Sequence, residues 1–554
     1  MTWHQIAAAN RLLEKERGAI RKDWGGRLPV ALVFPNSYYL GMSSLAVHTL
    51  YRMWNDRDDV VCERVFAGLL GQEVFGKNLG QPYSLESAAT LDYFPVVALS
   101  ISYEMDYFNV VALLRAASIP LRAADRDDTH PLLLAGGPAV SANPEPLAPL
   151  LDAIVIGEVE PVFDQLTDAL HLVVDGRDAA LDALAQITGL YLPNAPSANT
   201  RIRERQTITR QWLPDLDSFP THSVLLTPNT EFADMSLLEI ARGCGRGCRF
   251  CMAGYTYRPP RQRTVENILA QAHELLRRGE RLGLVSAAVS DYTQIDELAA
   301  ELRRLGARLS VSSLRVDALS EPLVRAMADS GARTLTIAPE AGSQRLRKVI
   351  NKTQTEEDVL RAVDLAARHG LAQLKLYFML GLPTEEEQDV QALVDLARAC
   401  AERFARQVTV NVTPFVPKAH TPFQRLAQTP ADVVKRRLSR IERALRREGI
   451  GVKSESPAWA EIQGTLARGD RRLAEAMLVV DRLTPATWRR VLAGVGIPVG
   501  ELLGQRAVDE TLPWGFIQSE VHTAHLEREV RRAEAVRTSL PCLPGDCVAC
   551  GVCD

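Results

Sequence analysis

Short apolar runs alternate with amphipathic helical patterns in two long stretches of the chain, and this alternation restricts the fold most. In the first stretch, residues 1–175, the expected strands are Val30–Phe34, Val96–Ile101, Leu132–Ala135 and Ala153–Ile156. In the second stretch, residues 235–423, strands are expected near 236–240, 283–288, 308–313, 334–338, 373–380 and 407–412. Strands that alternate with helices predict parallel sheets whose faces the helices cover.

The two stretches predict two α/β domains of different shape. Residues 1–175 predict a Rossmann-like, doubly wound sheet. The six or so βα units of residues 235–423 are too few for a closed eight-unit barrel, so we expect a partial (β/α)6 barrel. Prolines punctuate residues 176–234, which we interpret as a connector. Residues 424–540 are helical and charged, and residues 541–554 form a tail with four cysteines.

The overall charge and hydropathy favour neither a polyanionic partner nor a membrane. The 64 basic and 68 acidic residues give a net charge of −4, so contact with nucleic acid requires a local basic patch. The sequence has no apolar run of the roughly 18 residues that a transmembrane helix needs, and residues 1–10 lack the features of a secretion signal. We therefore expect a cytoplasmic protein without a membrane partner.

The cysteines are concentrated in two clusters. Of nine cysteines, only Cys62 and Cys400 stand alone. In a reducing compartment, clustered cysteines favour metal ligation over disulfide bonds.

The central cluster, Cys244, Cys248 and Cys251, has the pattern C-x3-C-x2-C and follows the first expected barrel strand. The glycines between these cysteines allow the backbone dihedral angles that wrapping a cluster requires. A [4Fe–4S] cluster normally takes four cysteines, so three local ones leave one iron open to another ligand. The alternatives are a zinc site, or a cluster completed by a distant cysteine and used only for electron transfer.

This loop resembles the signature of the radical S-adenosylmethionine (SAM) superfamily, including the aromatic Phe250 before the last cysteine. The resemblance implies that the open iron binds the amino and carboxylate groups of SAM. It also implies that reduction releases a 5′-deoxyadenosyl radical, with the electron coming from a donor such as flavodoxin or ferredoxin. The protein would bind SAM and fix its geometry.

Further segments resemble strand-end motifs of the superfamily branch that holds the Elongator catalytic subunit and the methylthiotransferases. These segments are Ser312–Asp317, Pro339–Ser343, Tyr377–Glu385 and Pro414–Lys418. The resemblance implies that Ser290 and Asp291 contact the methionyl amine of SAM. It implies that Ser313, Arg315 and Glu340 contact its carboxylate or ribose, although an Arg and a Glu on neighbouring strand ends also suit a mutual ion pair.

The N-terminal stretch is similar to uncharacterised radical SAM proteins whose N-terminal region resembles a cobalamin-binding domain. Gly136, Gly137, Gly157 and Glu158 carry this similarity and are expected to contact the cofactor. The D-x-H-x-x-G motif, whose histidine binds cobalt from below, is absent, because Ala46 stands two residues before His48. Cobalamin would therefore be held by the strand-end loops and the helix termini behind them. The alternative is a Rossmann-like sheet that has lost its cofactor and only caps the barrel.

The C-terminal cysteines Cys542, Cys547, Cys550 and Cys553 form the pattern C-x4-C-x2-C-x2-C. Its core repeats the spacing of bacterial ferredoxins, which favours a second [4Fe–4S] cluster. Four cysteines also satisfy structural zinc.

Together these features predict a radical SAM enzyme that modifies an unactivated carbon, with methyl transfer from cobalamin if cobalamin binds. One alternative is cobalamin-free modification of RNA or a ribosomal protein, for which a basic segment, residues 435–447, offers a phosphate contact. A solvated helix surface is the commoner meaning of such a segment. The non-enzyme alternative is an iron–sulfur electron carrier or redox-responsive binding protein. No residue type identifies the substrate or a catalytic acid or base.

Overall fold

A computed structural model describes residues 3–69, 79–194, 207–311, 314–542 and 549–553. None of the helices in these ranges is long and apolar enough to cross a membrane.

The N-terminal domain is built on a parallel sheet. Its elements are α1 (Trp3–Leu13), β1 (Leu28–Ser37), α2 (Tyr38–Gly41), α3 (Leu45–Asp56), β2 (Val60–Gly68), β3 (Val96–Ser100), α4 (Tyr107–Ala116), β4 (Leu132–Gly136), α5 (Pro138–Ala142), β5 (Ala153–Val155), α6 (Phe163–His171), α7 (Arg177–Leu184) and β6 (Leu190–Tyr191). In the described chain the strand order is β2-β1-β3-β4-β5-β6, and β6 alone runs antiparallel to its neighbour. This order confirms the doubly wound sheet and places its topological switch point between β1 and β3, where such sheets bind ligands.

Both faces of this sheet are covered, which explains the apolar runs in its strands. Val30 and Leu32 point to one apolar cluster, and Ala31 and Val33 point to the other. Strand β2 was not expected, because charged residues interrupt its apolar pattern. Its Arg64 is fully buried and pairs with two buried carboxylates outside the strand.

The second domain is the expected partial barrel. A short β7 (Ile208–Thr209) precedes it, and its elements are β8 (Ser236–Glu239), β9 (Ala241–Arg242), β10 (Arg261–Gln262), α8 (Val265–Leu276), β11 (Arg281–Val285), α9 (Ile295–Arg304), β12 (Arg308–Val311), α10 (Glu321–Asp329), β13 (Thr334–Glu340), α11 (Gln344–Val349), α12 (Glu356–Arg368), β14 (Gln373–Leu380), α13 (Glu387–Phe404), β15 (Gln407–Pro414), α14 (Ala431–Arg446) and β16 (Gly451–Ser454). All six expected strands are present. Strands β12-β11-β8 form one sheet, β13-β14-β15-β16 form another, and a bridge between Leu314 and Ile337 links the two.

Alternate residues of the barrel strands face opposite sides. Leu374, Leu376 and Phe378 of β14 are buried against the outer helices. The residues between them, Lys375 and Tyr377, face inward and are partly exposed. The carboxyl ends of the strands therefore surround a concave, accessible space, which is where barrels of this kind bind ligands.

The C-terminal region packs on both domains. Its elements are α15 (Pro457–Arg468), α16 (Arg472–Leu478), α17 (Pro485–Gly494), α18 (Val499–Leu503), β17 (Ile517–Gln518) and α19 (Thr523–Glu534). Residues of α15 to α17 join the apolar cluster on one face of the N-terminal sheet. Strand β17 pairs in parallel with β7, so the end of the chain is tied to the segment between the two domains.

Candidate functional site

The loop with Cys244, Cys248 and Cys251 starts directly after β9 and is closed by the pairing of β9 with β10. Gly243 has a φ of +80°, and a Cβ at this position would lie 2.2 Å from the carbonyl oxygen of Tyr257. Only glycine can therefore open the loop this close to its returning strand.

Hydrogen bonds from outside the loop fix its backbone. The Asn351 Nδ2 group donates to the carbonyl oxygens of Gly247 (3.0 Å) and Arg246 (3.3 Å). The Tyr255 hydroxyl also donates to Gly247, over 3.1 Å. Contacts within the protein thus hold the backbone between the cysteines.

The three thiols lie close enough to perturb one another. Burial raises the pKa of Cys251 to about 12, and the neighbouring Cys248 and Cys244 contribute to the rise. Burial also raises the pKa of Cys244, with a further contribution from Cys248. Three neighbouring thiolates without a counter-charge are unfavourable, and bound iron would supply that charge.

Several of the expected SAM contacts meet at this loop. The Arg315 guanidinium lies 3.8 Å from the Cys248 sulfur, and its backbone N–H donates to Ser290 Oγ over 3.0 Å. Asp291 accepts a 2.7 Å hydrogen bond from Arg246 within the cysteine loop. Burial opposes the charge of Arg315, but Cys248 and Asp317 outweigh it, so the pKa of Arg315 is raised.

Glu340 reaches the same region from the end of β13, whereas Phe250 belongs to the cysteine loop itself. Glu340 ends β13 with a φ of +67° and pairs with Lys352 over 3.2 Å, and Lys352 in turn lowers the pKa of Cys251 against the effect of burial. Phe250 packs on the apolar cluster that includes Leu346. The mutual pairing considered for Arg315 and Glu340 does not occur, since Arg315 pairs with Asp317 instead.

Two of the expected residues, Ser313 and Cys547, lie outside the described residues. Within the described ranges, no three His, Cys, Asp or Glu side chains already converge as the ligands of one metal ion.

A cavity of about 390 Å³ lies between the N-terminal sheet and the barrel. It brings together Gly136, Gly137, Gly157 and Glu158, and it reaches Gly243 at the start of the cysteine loop. This volume is within the usual range for a small-molecule site.

One branch of the cavity forms a slot between α3 and the sheet. Leu32, Ala98, Leu134 and Val155 of four strands form its floor, and Ala46, Thr49, Leu50 and Trp54 of α3 form its roof. Thr49 Oγ1 and Trp54 Nε1 are buried and have no hydrogen-bond partner. Buried polar groups normally have partners, so these two suit a ligand that fills the slot.

At two of the cavity glycines, close backbone contacts also explain why the residue is glycine. A Cβ at Gly137 would lie 2.5 Å from the carbonyl oxygen of Ile101, and one at Gly157 would lie 2.2 Å from that of Gln211. Glu158 is engaged too, because its carboxylate accepts hydrogen bonds from Arg261 (2.7 Å) and Arg242 (2.8 Å).

The C-terminal segment packs directly on the cysteine loop. The Cys542 N–H donates to the carbonyl oxygen of Gly245 over 2.6 Å. The fully buried Arg249 of the loop pairs with the buried Glu529 of α19 over 3.1 Å. Cys550 is buried beside Tyr255. The two cysteine clusters are therefore neighbours in space.

Two family models match the chain. The one described as radical SAM proteins, N-terminal, matches residues 46–193, and the one described as the radical SAM superfamily matches residues 238–397. An uncharacterised protein of Methanocaldococcus jannaschii is 32% identical over 456 residues, which cover 80% of this chain and 90% of that protein.

The chain belongs to the radical SAM superfamily. It is therefore a radical SAM enzyme, and the resemblance given by the cysteine loop is confirmed. The superfamily uses a [4Fe–4S] cluster and SAM. Membership therefore argues against the electron carrier considered from the sequence.

Other relatives match less of the chain. A tRNA-2-methylthio-N(6)-dimethylallyladenosine synthase of Cereibacter sphaeroides is 30% identical over 221 residues, or 37% of this chain and 49% of that enzyme. A solved structure of the radical SAM methyltransferase TsrM from Kitasatospora setae is 14% identical, with a TM-score of 0.46, over 72% of this chain and 74% of that one.

In this radical SAM enzyme, three residues at the site were not expected from the sequence: Arg246, Asn351 and Lys352. Arg246 lies between the cysteines, so its position in the sequence could have identified it as a residue of the site. Asn351 and Lys352 follow a short helix about 100 residues away, and only the folded chain brings them to the loop.

Proposed function

We propose that Cys244, Cys248 and Cys251 hold the [4Fe–4S] cluster and that SAM binds beside it, so that the enzyme modifies an unactivated carbon of its substrate. When bound, the cluster supplies the electron that cleaves SAM to a 5′-deoxyadenosyl radical. The convergence of Ser290, Asp291 and Arg315 on the cysteine loop is the observation that carries this proposal. An electron donor such as flavodoxin or ferredoxin would supply the reducing equivalent.

The side chains around the loop have complementary roles in this proposal. Arg315 places a buried cation against Cys248 and stabilises the anionic thiolate. Asp291 offers a carboxylate for the amino group of SAM, and Ser290 holds the backbone of Arg315. Glu340, with Lys352 beside it, and Ser313 are the proposed contacts to the carboxylate or ribose.

The cavity supports a second cofactor. The slot under α3 is mostly apolar and contains two polar groups without hydrogen-bond partners, which suits the heteroaromatic tail of cobalamin. When bound, cobalamin would supply a methyl group. The corrin ring is larger than the slot and would lie against the strand-end loops of Gly136, Gly137, Gly157 and Glu158.

His48 would not serve as a ligand to cobalt in this arrangement. Its Nε2 atom bonds the carbonyl oxygen of Met42, and its Nδ1 atom accepts from the N–H of Leu225. Cobalamin would therefore bind without a histidine of the missing motif, as expected from the sequence.

The proposed function is tested by anaerobic reconstitution with iron and sulfide, followed by dithionite and SAM. We expect wild type to release 5′-deoxyadenosine, and Cys248→Ala to lose both the release and part of the bound iron. Cys400→Ala, a buried cysteine of α13 outside the loop, is the matched control and keeps both. Release of 5′-deoxyadenosine by Cys248→Ala at the wild-type rate would refute the proposal.

Cys542, Cys550 and Cys553, with Cys547, are the proposed ligands of a second metal site. Its position against the cysteine loop favours an iron–sulfur cluster that exchanges electrons with the first. Structural zinc is the alternative, and metal analysis of Cys550→Ala decides between them by whether iron or zinc is lost.

Modification of RNA without cobalamin is the second candidate function. The match to the Cereibacter sphaeroides synthase, whose name states a tRNA product, favours it. The basic segment offers less support than its sequence suggested, because Arg436, Arg437 and Arg440 of α14 pair with carboxylates of the same chain. Addition of cobalamin in the reconstitution separates the two candidates.

A further inference from the structure

The inner face of the sheet β13-β14-β15-β16 is mostly polar, and Ala338 and Met379 are its apolar members. The interior of a closed barrel is normally packed with branched apolar side chains. Here the inward positions are Thr334, Thr336, Ala338 and Glu340 on β13, Gln373, Lys375, Tyr377 and Met379 on β14, Gln407, Thr409, Asn411 and Thr413 on β15, and Lys453 on β16. An open, polar inner face is suited to a polar ligand.

Cross-strand register arranges these side chains in rows. In the lowest row, at the amino ends of the strands, hydrogen bonds join the side chains: Thr334 donates to Gln373 (3.1 Å), and Gln373 donates to Gln407 (2.8 Å). In the row above it, Lys375 stands between Thr336 and Thr409. The Thr–Gln–Gln row forms the base of the space, and Lys375 is directly above that base.

The next row adds further hydrogen-bond donors. Tyr377 pairs in register with Asn411, and Asn411 with Lys453. Tyr377 is 39% exposed although it lies within a strand. Asn411 Nδ2 is a buried donor without a partner. An aromatic ring, an unpaired amide donor and a lysine are therefore directed into one space.

Negatively charged side chains are scarce on this face. In the described part of β13 to β16, Glu340 is the one inward carboxylate, and Lys352 neutralises it. Lys375 has no ion-pair partner among the described residues. It lies about 7 Å from Tyr377 toward the amino end of β14. The row of Tyr377 therefore lies between Lys375 and the cysteine loop. An ammonium group between two hydroxyls, with no carboxylate beside it, is complementary to an oxyanion.

We infer that this inner face binds an oxyanion of the substrate, a carboxylate or a phosphate, through Lys375, with Thr336, Thr409 and the Asn411 amide as further donors. This inference deepens the proposed function and rests on it for the identity of the ligand as substrate. The substrate would enter from the open side of the barrel, with its anionic group toward the Thr–Gln–Gln base. The carbon to be modified would then lie nearer the cysteine loop.

Equilibrium dialysis of the full-length protein with labelled inorganic phosphate, and separately with labelled acetate, tests the inference. We expect saturable binding of at least one probe, and the tighter probe identifies the kind of oxyanion. Lys375→Met keeps most of the length of the side chain and removes its charge, so affinity should fall at least about tenfold, as for loss of a charge-assisted hydrogen bond. Lys435→Met, on the outer surface of α14, is the matched control and should bind as wild type does.

A second variant tests whether weaker binding by Lys375→Met comes from the lost charge and not from altered packing. Asn411→Asp is nearly isosteric and places a carboxylate in the row next to that of Lys375, so it should also weaken binding. Equal affinity in wild type and in both variants, or the absence of saturable binding of either probe, would overturn the inference.

The 5′-deoxyadenosine assay on the same samples separates this inference from the proposed function. Oxyanion binding that depends on Lys375, without any cleavage of SAM, would contradict the proposed function alone. Cleavage of SAM with oxyanion binding that is indifferent to Lys375 would contradict the inference alone.

Discussion

Buried histidines show at the residue scale how position controls charge. His48 lies inside α3, and His420 lies on the loop after β15; both are buried and hydrogen-bonded to backbone groups. Burial lowers the pKa of each from 6.5 to about 4. Both imidazoles are therefore neutral structural groups at neutral pH.

The pH dependence of stability follows from these two values. Above pH 6.5 neither the native nor the unfolded chain protonates His48, and its contribution to stability is complete. Between pH 6.5 and about 4 only the unfolded chain takes up the proton, so the native state loses stability, by about 2 kcal/mol at pH 5. We expect the urea midpoint of wild type to fall more between pH 7.5 and pH 5 than that of His48→Gln.

His273→Gln, on the exposed face of α8, is the control for this measurement. A His48→Gln variant whose midpoint falls as steeply as that of wild type would contradict the assignment.

At the scale of elements, close backbone contacts fix the loops that follow the strands. The loop after β5 turns at Gly157, where φ is +104° and Gln211 of the connector approaches to within backbone hydrogen-bonding distance. This contact joins the N-terminal sheet to the segment that leads into the barrel. Gly157 itself lines the cavity.

Gly157→Ala should therefore destabilise the protein by about 2 kcal/mol or more, because the new methyl group meets Gln211 and the backbone is left in a strained region. Gly136→Ala is the matched control: it lines the same cavity, but its methyl group would meet no atom closer than 3.8 Å. Thermal unfolding midpoints compare the two. Similar midpoints for both variants would show that the close contact at Gly157 is unimportant.

At the scale of the whole molecule, the C-terminal region closes the structure around the cysteine loop. The chain reaches the loop again almost 300 residues later, through the Arg249–Glu529 pair and the hydrogen bond from the Ser539 N–H to Asn351 Oδ1 (2.8 Å). The same Asn351 side chain holds the carbonyl oxygen of Gly247. The C-terminal region therefore contacts the cysteine loop both directly, through Glu529, and indirectly, through Asn351.

Glu529→Gln should loosen the cysteine loop, because it leaves the buried Arg249 cation without its counter-charge, at a cost of about 3 kcal/mol. We expect the reconstituted cluster to lose its visible absorbance faster in the presence of an iron chelator than the cluster of wild type does. Glu534→Gln, exposed on the same α19, should leave that rate unchanged. Equal rates for all three proteins would show that the cysteine loop is ordered without this ion pair.

The sequence by itself determined the α/β class, the six expected barrel strands and the family, because hydrophobic periodicity and cysteine spacing are local properties of the chain. It did not predict β2 or β16. The charge of Arg64 in β2 is neutralised by carboxylates outside the strand, and β16 is an exposed edge strand without an apolar run.

Only the tertiary structure decided which side chains meet. It placed Arg315 beside Cys248, paired Lys352 with Glu340, and packed the C-terminal cysteines against the central loop. It also formed the slot under α3 and the polar inner face of the barrel. Such sites depend on the packing of elements that are far apart in the chain, and no local pattern of residues encodes that packing.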